Sequence, residues 1–419
     1  PGLGAAYKNG PIAYLVLPYA LLMNEPPRLT QRIYSIDILR GLIMMIMALD
    51  HVRDYFHITA SVDSPTNLAT TTPALFFTRW ITHFCAPVFV FLAGVSAYLA
   101  GQRRATGERG NFLIKRGLWL VLIEVTVVTL GWTFDPFYHV LILQVIWAIG
   151  ISMILLGILV RLVPARTILF IGLIILLFHN LLDYPEARMG GQVGILWDIL
   201  HVGHFRFIRF FDHRGIVIIY AFLPWTGIML AGYGIGKWFT RNLTTVQRRK
   251  ALWLSGLILV ALFVALRLIN SYGDPTPWKP QRDAVFTFLS FLNVNKYPPS
   301  LMYTCMTLGP ALILLALFDP LKPKPASFVT SFGRVPFFFY VLHIYLIHFA
   351  VVIVFLLKRL PAEDIAPQSV PFLFRPDNFG YSLGVVYLIW IAIIVLAYPL
   401  CRRYSLYKMS HRAWWLSYL

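Results

Sequence analysis

An unbroken apolar run from Leu42 to Leu49 is bracketed by ionisable residues. Asp37 and Arg40 lie before it, and Asp50, His51, Arg53, Asp54 and His57 lie after it. Nine further long apolar stretches follow, at 76–100, 117–134, 138–160, 166–183, 215–239, 251–270, 299–318, 335–357 and 380–401. At a rise of about 1.5 Å per residue, stretches of this length cross a hydrocarbon layer ~30 Å thick. Together with 36–57 they predict an all-α polytopic membrane protein, with about ten transmembrane helices in one bundle. Residues 1–32 stand apart: the apolar run Ile12–Met23 is short for a span and is interrupted by Pro18. They are read as an N-terminal extension without an assigned role, and 33–412 as one transmembrane domain.

Composition agrees with the pattern. Only 13% of residues are charged, against about a quarter in soluble domains. The formal charge of +18 raises the question of nucleic acid. However, the basic residues sit in short loops that alternate with loops poorer in positive charge, as the positive-inside rule requires of a membrane protein. That alternation places both termini in the cytoplasm and loops 184–214 and 271–298 outside. Such long loops serve as functional caps, and Trp197–Phe211 is expected as an interfacial helix. The three cysteines, Cys85, Cys305 and Cys401, have no ligand spacing, so neither a disulfide framework nor a metal site is expected.

The charged flanks of the first span carry the chemistry. A charge in hydrocarbon costs several kcal/mol unless paired or hydrated, and Asp and His are too short to snorkel as Lys and Arg do. A polar site let into the membrane is therefore expected. On a helix His51 meets Asp54 and Asp50 meets Arg53 and Asp54, while Arg53 meets His57. The catalytic candidates are His51 as base, Asp54 holding its ring, and Asp50 and Arg53 beside them. Arg40 lies eleven residues before His51, about 16 Å along the axis, which suits a donor entering from one face and an acceptor from the other. His57, His83, His179 and His348 are candidates for the acceptor side. On the inner side Arg40, Arg116 and Arg334 are placed to gather a polyphosphate such as a CoA ester.

Other polar residues are weighed against structural roles. Glu124, mid-span, is a functional candidate or one half of a structural pair. Gln144 and Asn180 read as interhelical hydrogen bonders, His343 as a satisfied core histidine, and Arg267 and Asn270 as snorkelling groups. Gly227, Ala231 and Tyr233–Gly236 read as close helix packing. No Gly-x-Ser-x-Gly surrounds a serine and no P-loop is present.

Ser35-Ile-Asp-Ile-Leu-Arg-Gly41 with Asp50-His-Val-Arg53 resembles the catalytic domain of the heparan-alpha-glucosaminide N-acetyltransferase type, in its bacterial members. Phe76–Gly94, Leu143–Gly150, Lys296–Leu301 and Ser331–Pro336 look like the same group. The resemblance implies a transmembrane acyltransferase of the bacterial inner membrane. Acetyl-CoA or another acyl-CoA would be co-substrate, and an amine or hydroxyl of a sugar or glycan on the periplasmic side the acceptor. The acyltransferase-three family is similar in its Leu-Arg-Gly opening and has a histidine eleven residues after the arginine. By that spacing His51 is implied as the catalytic histidine. Membrane lipid and, by base rate, a second copy of the chain are the expected partners, with no nucleic acid. The alternative is a proton-coupled membrane transporter, since intramembrane His, Asp and Glu also build proton relays. The Asp-His-Val-Arg pattern occurs once, without an inverted repeat.

Overall fold

The computed structural model describes residues 33–416, except 61, 103, 191, 192, 204, 206, 212, 213, 241, 242, 324–326, 368, 369, 378, 412, 414 and 415. The 1–32 extension and the loop residues His204, Arg206 and His213 lie outside the described residues. The fold is helical. In chain order the main helices are α1 (Tyr34–Phe56), α2 (Pro73–Thr82), α3 (Cys85–Gly101), α4 (Thr106–Ile123), α5 (Val145–Leu162), α6 (Ala165–Phe178) and α7 (Phe222–Ile235). They continue with α8 (Thr245–Ile269), α9 (Ala284–Leu292), α10 (Leu301–Phe318), α11 (Phe328–Arg334), α12 (Pro336–Leu357) and α13 (Leu383–Ser410). Among the described residues, seven helical segments are long and apolar enough to cross a membrane. The predicted spans 36–57 and 117–134 are helical too, but α1 is rich in charge and 117–134 changes helix type midway, while 215–239 opens as strand and leaves a helix of only 14 residues. The protein is a multi-pass membrane protein.

Local chemistry starts these helices. Thr72 accepts from the Leu75 N–H at 3.2 Å ahead of Pro73, and Asp283 accepts from Phe286 at 2.8 Å. Ser300 accepts from Tyr303 at 3.0 Å, and Thr244 and Gln247 form a reciprocal capping box. α1 is the centre of the bundle, touching α2, α3, α10, α11, α12 and α13. Its closest neighbour is α11, where a Cβ built on Gly333 would come within 1.8 Å of the Asp37 carbonyl oxygen. Only glycine permits that approach. Glycine lets α3 and α7 approach in the same way: a Cβ on Gly94 or Gly232 would lie 2.1 Å from the Met229 or Phe91 carbonyl oxygen.

Three short strands depart from the all-helix expectation. β1 (Val140–Leu143) pairs in parallel with β3 (Arg214–Ile218), Val140 opposite Gly215, and β2 (Phe207–Phe211) pairs with β3 antiparallel. The stretches 138–160 and 215–239 thus begin as strand before turning helical. The expected interfacial helix at Trp197–Phe211 is a short helix, a π turn at Asp198–Val202 and then β2. Val140-Leu-Ile-Leu143 is a four-residue apolar run, for which periodicity does not separate strand from helix.

Candidate active site

Two cavities meet at α1. The larger, about 970 Å³, is lined by Asp50, His51, Arg53, Asp54, Arg79, His83, Trp132, Lys296 and Tyr297, with β1 and β3 side chains over it. The narrower, about 210 Å³, is lined by Arg40, Met44, Met47, Ser96, Arg116, Arg334, Tyr340 and Lys408. Met47 and His51 are one helical turn apart yet line different cavities, so the partition is only about 6 Å thick along the helix.

The hydrogen bonds of His51 fix its chemistry. His51 Nδ1 lies 2.7 Å from His343 Nε2, and His343 Nδ1 lies 2.7 Å from the Phe339 carbonyl oxygen. A carbonyl only accepts, so His343 carries its proton on Nδ1 and its Nε2 is an acceptor. His51 then donates from Nδ1, which leaves the lone pair of its Nε2 available as a base. The His51, His343 and Phe339 rings stack at centroid spacings of 5.0 and 4.9 Å, and Trp132 packs edge-on to His51 at 4.8 Å.

Asp54 does not hold His51. It accepts from Arg53 at 2.5 Å. Arg53 also reaches Asp50 at 2.9 Å, rather than the His57 ring. Asp50 is claimed further by Arg79 and by Thr82 at 2.9 Å. The carboxylates are thus occupied by guanidinium groups, whose pairing with them is stronger than that of a neutral imidazole. His83 lines the larger cavity. Arg40, Arg116 and Arg334 gather at the narrower one, with Arg40 donating to Ser96 Oγ at 2.8 Å.

The other three histidines of the acceptor set are elsewhere. His57 bonds to Thr59 at 2.9 Å. His348 lies against the carbonyl oxygens of Gly131 and Leu373, at 3.0 and 2.8 Å. His179 faces His201 at 3.2 Å, and His201 meets Glu186 at 2.6 Å. Backbone acceptors and local partners absorb the His57 and His348 rings, while His179 Nε2 is buried without a partner. Asp183, Glu186 and His201 bring ligand atoms within 4.8 Å of one another, a grouping able to hold a cation that sequence spacing did not show.

Several residues of the cavity wall carry no signal of their role in the sequence pattern. Arg79 and Lys296 stand in quoted motifs but carried no assigned role, and a charge inside an apolar run is itself the signal that marks Arg79. Burial alone raises the Tyr297 phenol, but Lys296 and Arg79 beside it bring it below its ordinary value. His343, which reads as a core histidine in the sequence, is the partner of His51. Glu124 caps α5 instead, accepting from the Gln144 N–H at 2.6 Å out of a π turn.

Residues 32–266 match the family described as heparan-alpha-glucosaminide N-acetyltransferase, catalytic. The chain belongs to this family of transmembrane acetyltransferases. No curated protein matches it. The match to heparan-alpha-glucosaminide N-acetyltransferase spans α1 to most of α8, and so takes in Arg40, His51, Arg79, His83 and Arg116. Lys296, Arg334, Tyr340 and His343 come from the part of the chain beyond it.

Proposed function

We propose that the protein takes an acetyl or other acyl group from acetyl-CoA or another acyl-CoA and passes it to an amine or hydroxyl of a sugar or glycan. The donor enters the narrower cavity, where Arg40, Arg116 and Arg334 meet its phosphates, since guanidinium groups match phosphate geometry. The acceptor occupies the larger cavity. The observation that carries this reading is the position of His51: one turn from the donor cavity, lining the acceptor cavity, with its ring proton committed to His343.

The step balances simply. His51 Nε2 removes a proton as the acceptor oxygen or nitrogen bonds to the thioester carbon. The tetrahedral intermediate collapses by breaking the C–S bond, and the CoA thiolate leaves with the proton from His51. Arg53 bridges Asp50 and Asp54, and Arg79 binds Asp50, which holds the end of α1 at the cavity wall.

Sidedness follows the charge. The alternation of loop charge supports an arginine end in the cytoplasm with both termini, in a bacterial inner membrane, and a larger cavity open to the periplasm. Reporter fusions or cysteine labelling from each side test this.

The deciding assay uses purified protein in detergent, labelled acetyl-CoA and amino-sugar and neutral oligosaccharides. His51→Ala is expected to lose about 10²–10⁴-fold in transfer rate with unchanged acetyl-CoA affinity. A correctly inserted His51→Ala protein with full activity sinks the assignment. Sugar uptake into liposomes without CoA replaces the reading with a transporter.

A further inference from the structure

The partition between the cavities holds two buried polar hydrogens with no partner. Tyr340 lines the donor cavity and is 4% exposed, and its hydroxyl has no hydrogen bond. Trp132 lines the acceptor cavity and is 3% exposed, and its indole N–H has none either. The indole stands beside the Tyr340 hydroxyl without a hydrogen bond of proper geometry between them. Both rings pack edge-on to His51, at centroid distances of 4.8 Å for Trp132 and 6.3 Å for Tyr340. Leaving a buried donor unsatisfied is unfavourable. Two such donors, one from each cavity wall and both against the same imidazole, lie where a bound group must supply the acceptor.

We infer that Tyr340 O–H and Trp132 N–H form the oxyanion hole of the acyl transfer and receive the thioester carbonyl oxygen of the donor. This rests on the acyltransferase reading given above. Tyr340 and His343 lie three residues apart on α12 and share a face, so one helix would carry both the donor to the carbonyl and the acceptor that orients His51. As the acceptor atom bonds to the carbonyl carbon, the π pair moves onto oxygen and that oxygen takes both hydrogen bonds. When the C–S bond breaks the pair returns, and neither Tyr340 nor Trp132 changes protonation. Glu124 Oε2 is also buried and without a partner, but Glu124 lines neither cavity and its other oxygen accepts from the Gln144 N–H, so it has no part in this pocket.

The test separates binding from polarisation. Wild-type protein and Tyr340→Phe and Trp132→Phe variants in detergent are titrated with acetyl-CoA by calorimetry. The bound carbonyl stretch is then read by infrared difference spectroscopy with a ¹³C-labelled acetyl group. In the wild type the stretch is expected to move to lower frequency than in water. In Tyr340→Phe it should return toward the free value, with acetyl-CoA affinity retained within about twofold. Transfer in that variant should fall about 10²–10³-fold in kcat, the usual loss of one oxyanion donor, with little change in KM. A wild-type protein that binds acetyl-CoA with an unshifted carbonyl, or a Tyr340→Phe protein at full kcat, overturns the inference and leaves the acyltransferase reading in place. A wild-type protein that does not bind acetyl-CoA overturns that reading, and the inference with it. Trp132→Phe keeps an aromatic ring against His51, so its expected loss reports the N–H rather than the packing.

Discussion

At the scale of single residues, the candidate site depends on which partner wins each polar group. Local helix spacing offered Asp54 to His51, but a guanidinium three residues from Asp50 and adjacent to Asp54 takes both carboxylates. The partner that His51 does have, His343, is 292 positions away, and nothing in local periodicity encodes that distance. Arg40 and His51 were legible because both lie on α1, where spacing alone sets their separation. His343→Phe should leave the protein folded while freeing the His51 tautomer, lowering kcat on the order of 10²-fold. That is below the ~10⁴ lost when a triad's orienting carboxylate becomes an amide, because a neutral imidazole supplies no charge. His343→Gln, which keeps an acceptor, should recover part of the rate.

Asp135, in the loop before β1, gives a pH prediction. Burial alone raises its carboxyl, but the His139 and Phe137 amides and the His139 ring hold it below the ordinary carboxylate range. A folded value below the unfolded one, about 3.9, means stability that is present above that pH and lost as pH falls through the folded value. Asp135→Asn is therefore expected to lower the thermal midpoint at pH 7. The gap to wild type should narrow once the pH drops under about 4. A gap independent of pH counts against this account.

At the scale of elements, the loop 271–298 is pinned by one arginine that the sequence reading left to snorkel. Arg267 is 1% exposed and donates to the carbonyl oxygens of Phe291, Thr276, Ser290 and Asn293 at 2.8, 3.0, 2.9 and 2.6 Å. Asp274 lies 4.0 Å from it and takes N–H or O–H donors from Thr276, Asn295 and Ser300; burial raises its carboxyl above the ordinary range. A hydropathy pattern shows a cation at the end of a helix, but not the loop that folds back over it. Arg267→Met should strand four buried carbonyls at roughly 1–3 kcal/mol each where water does not reach them. Protease sensitivity within 271–298 is the expected readout. At the α1–α11 contact, Gly333→Ala must displace backbone rather than a flexible side chain, so a cost of at least 1–3 kcal/mol and poor yield of folded protein are expected.

At the scale of the whole molecule, the sequence pattern located the long helices of the bundle but not the short α9 and α11, which fall between the predicted spans, and it misplaced where α4, α5 and α7 begin. Hydropathy reports burial in lipid or protein, and both a strand under a loop and the first turn of a span satisfy it. The gathering of Arg40, Arg116 and Arg334 from α1, α4 and α11 around one cavity could not be read from loop charge, which fixes topology without fixing proximity. Arg40→Gln and Arg334→Gln are each expected to weaken acetyl-CoA binding about tenfold, near 1.4 kcal/mol. Both should also flatten its dependence on salt. Unchanged affinity in both would place the donor elsewhere.

A wall one helical turn thick has a cost for the cell. Two recesses penetrating from opposite ends of a bundle concentrate the transmembrane voltage across the little material left between them. Here that material includes Met47, Tyr340 and the rings stacked on His51. Trimming it, as in a Met47→Gly, Tyr340→Ala double variant, should turn a group-transfer protein into a leak, seen as faster collapse of a proton gradient in reconstituted vesicles. A leak of that kind would show the bulk of those side chains serving as electrical insulation as well as packing.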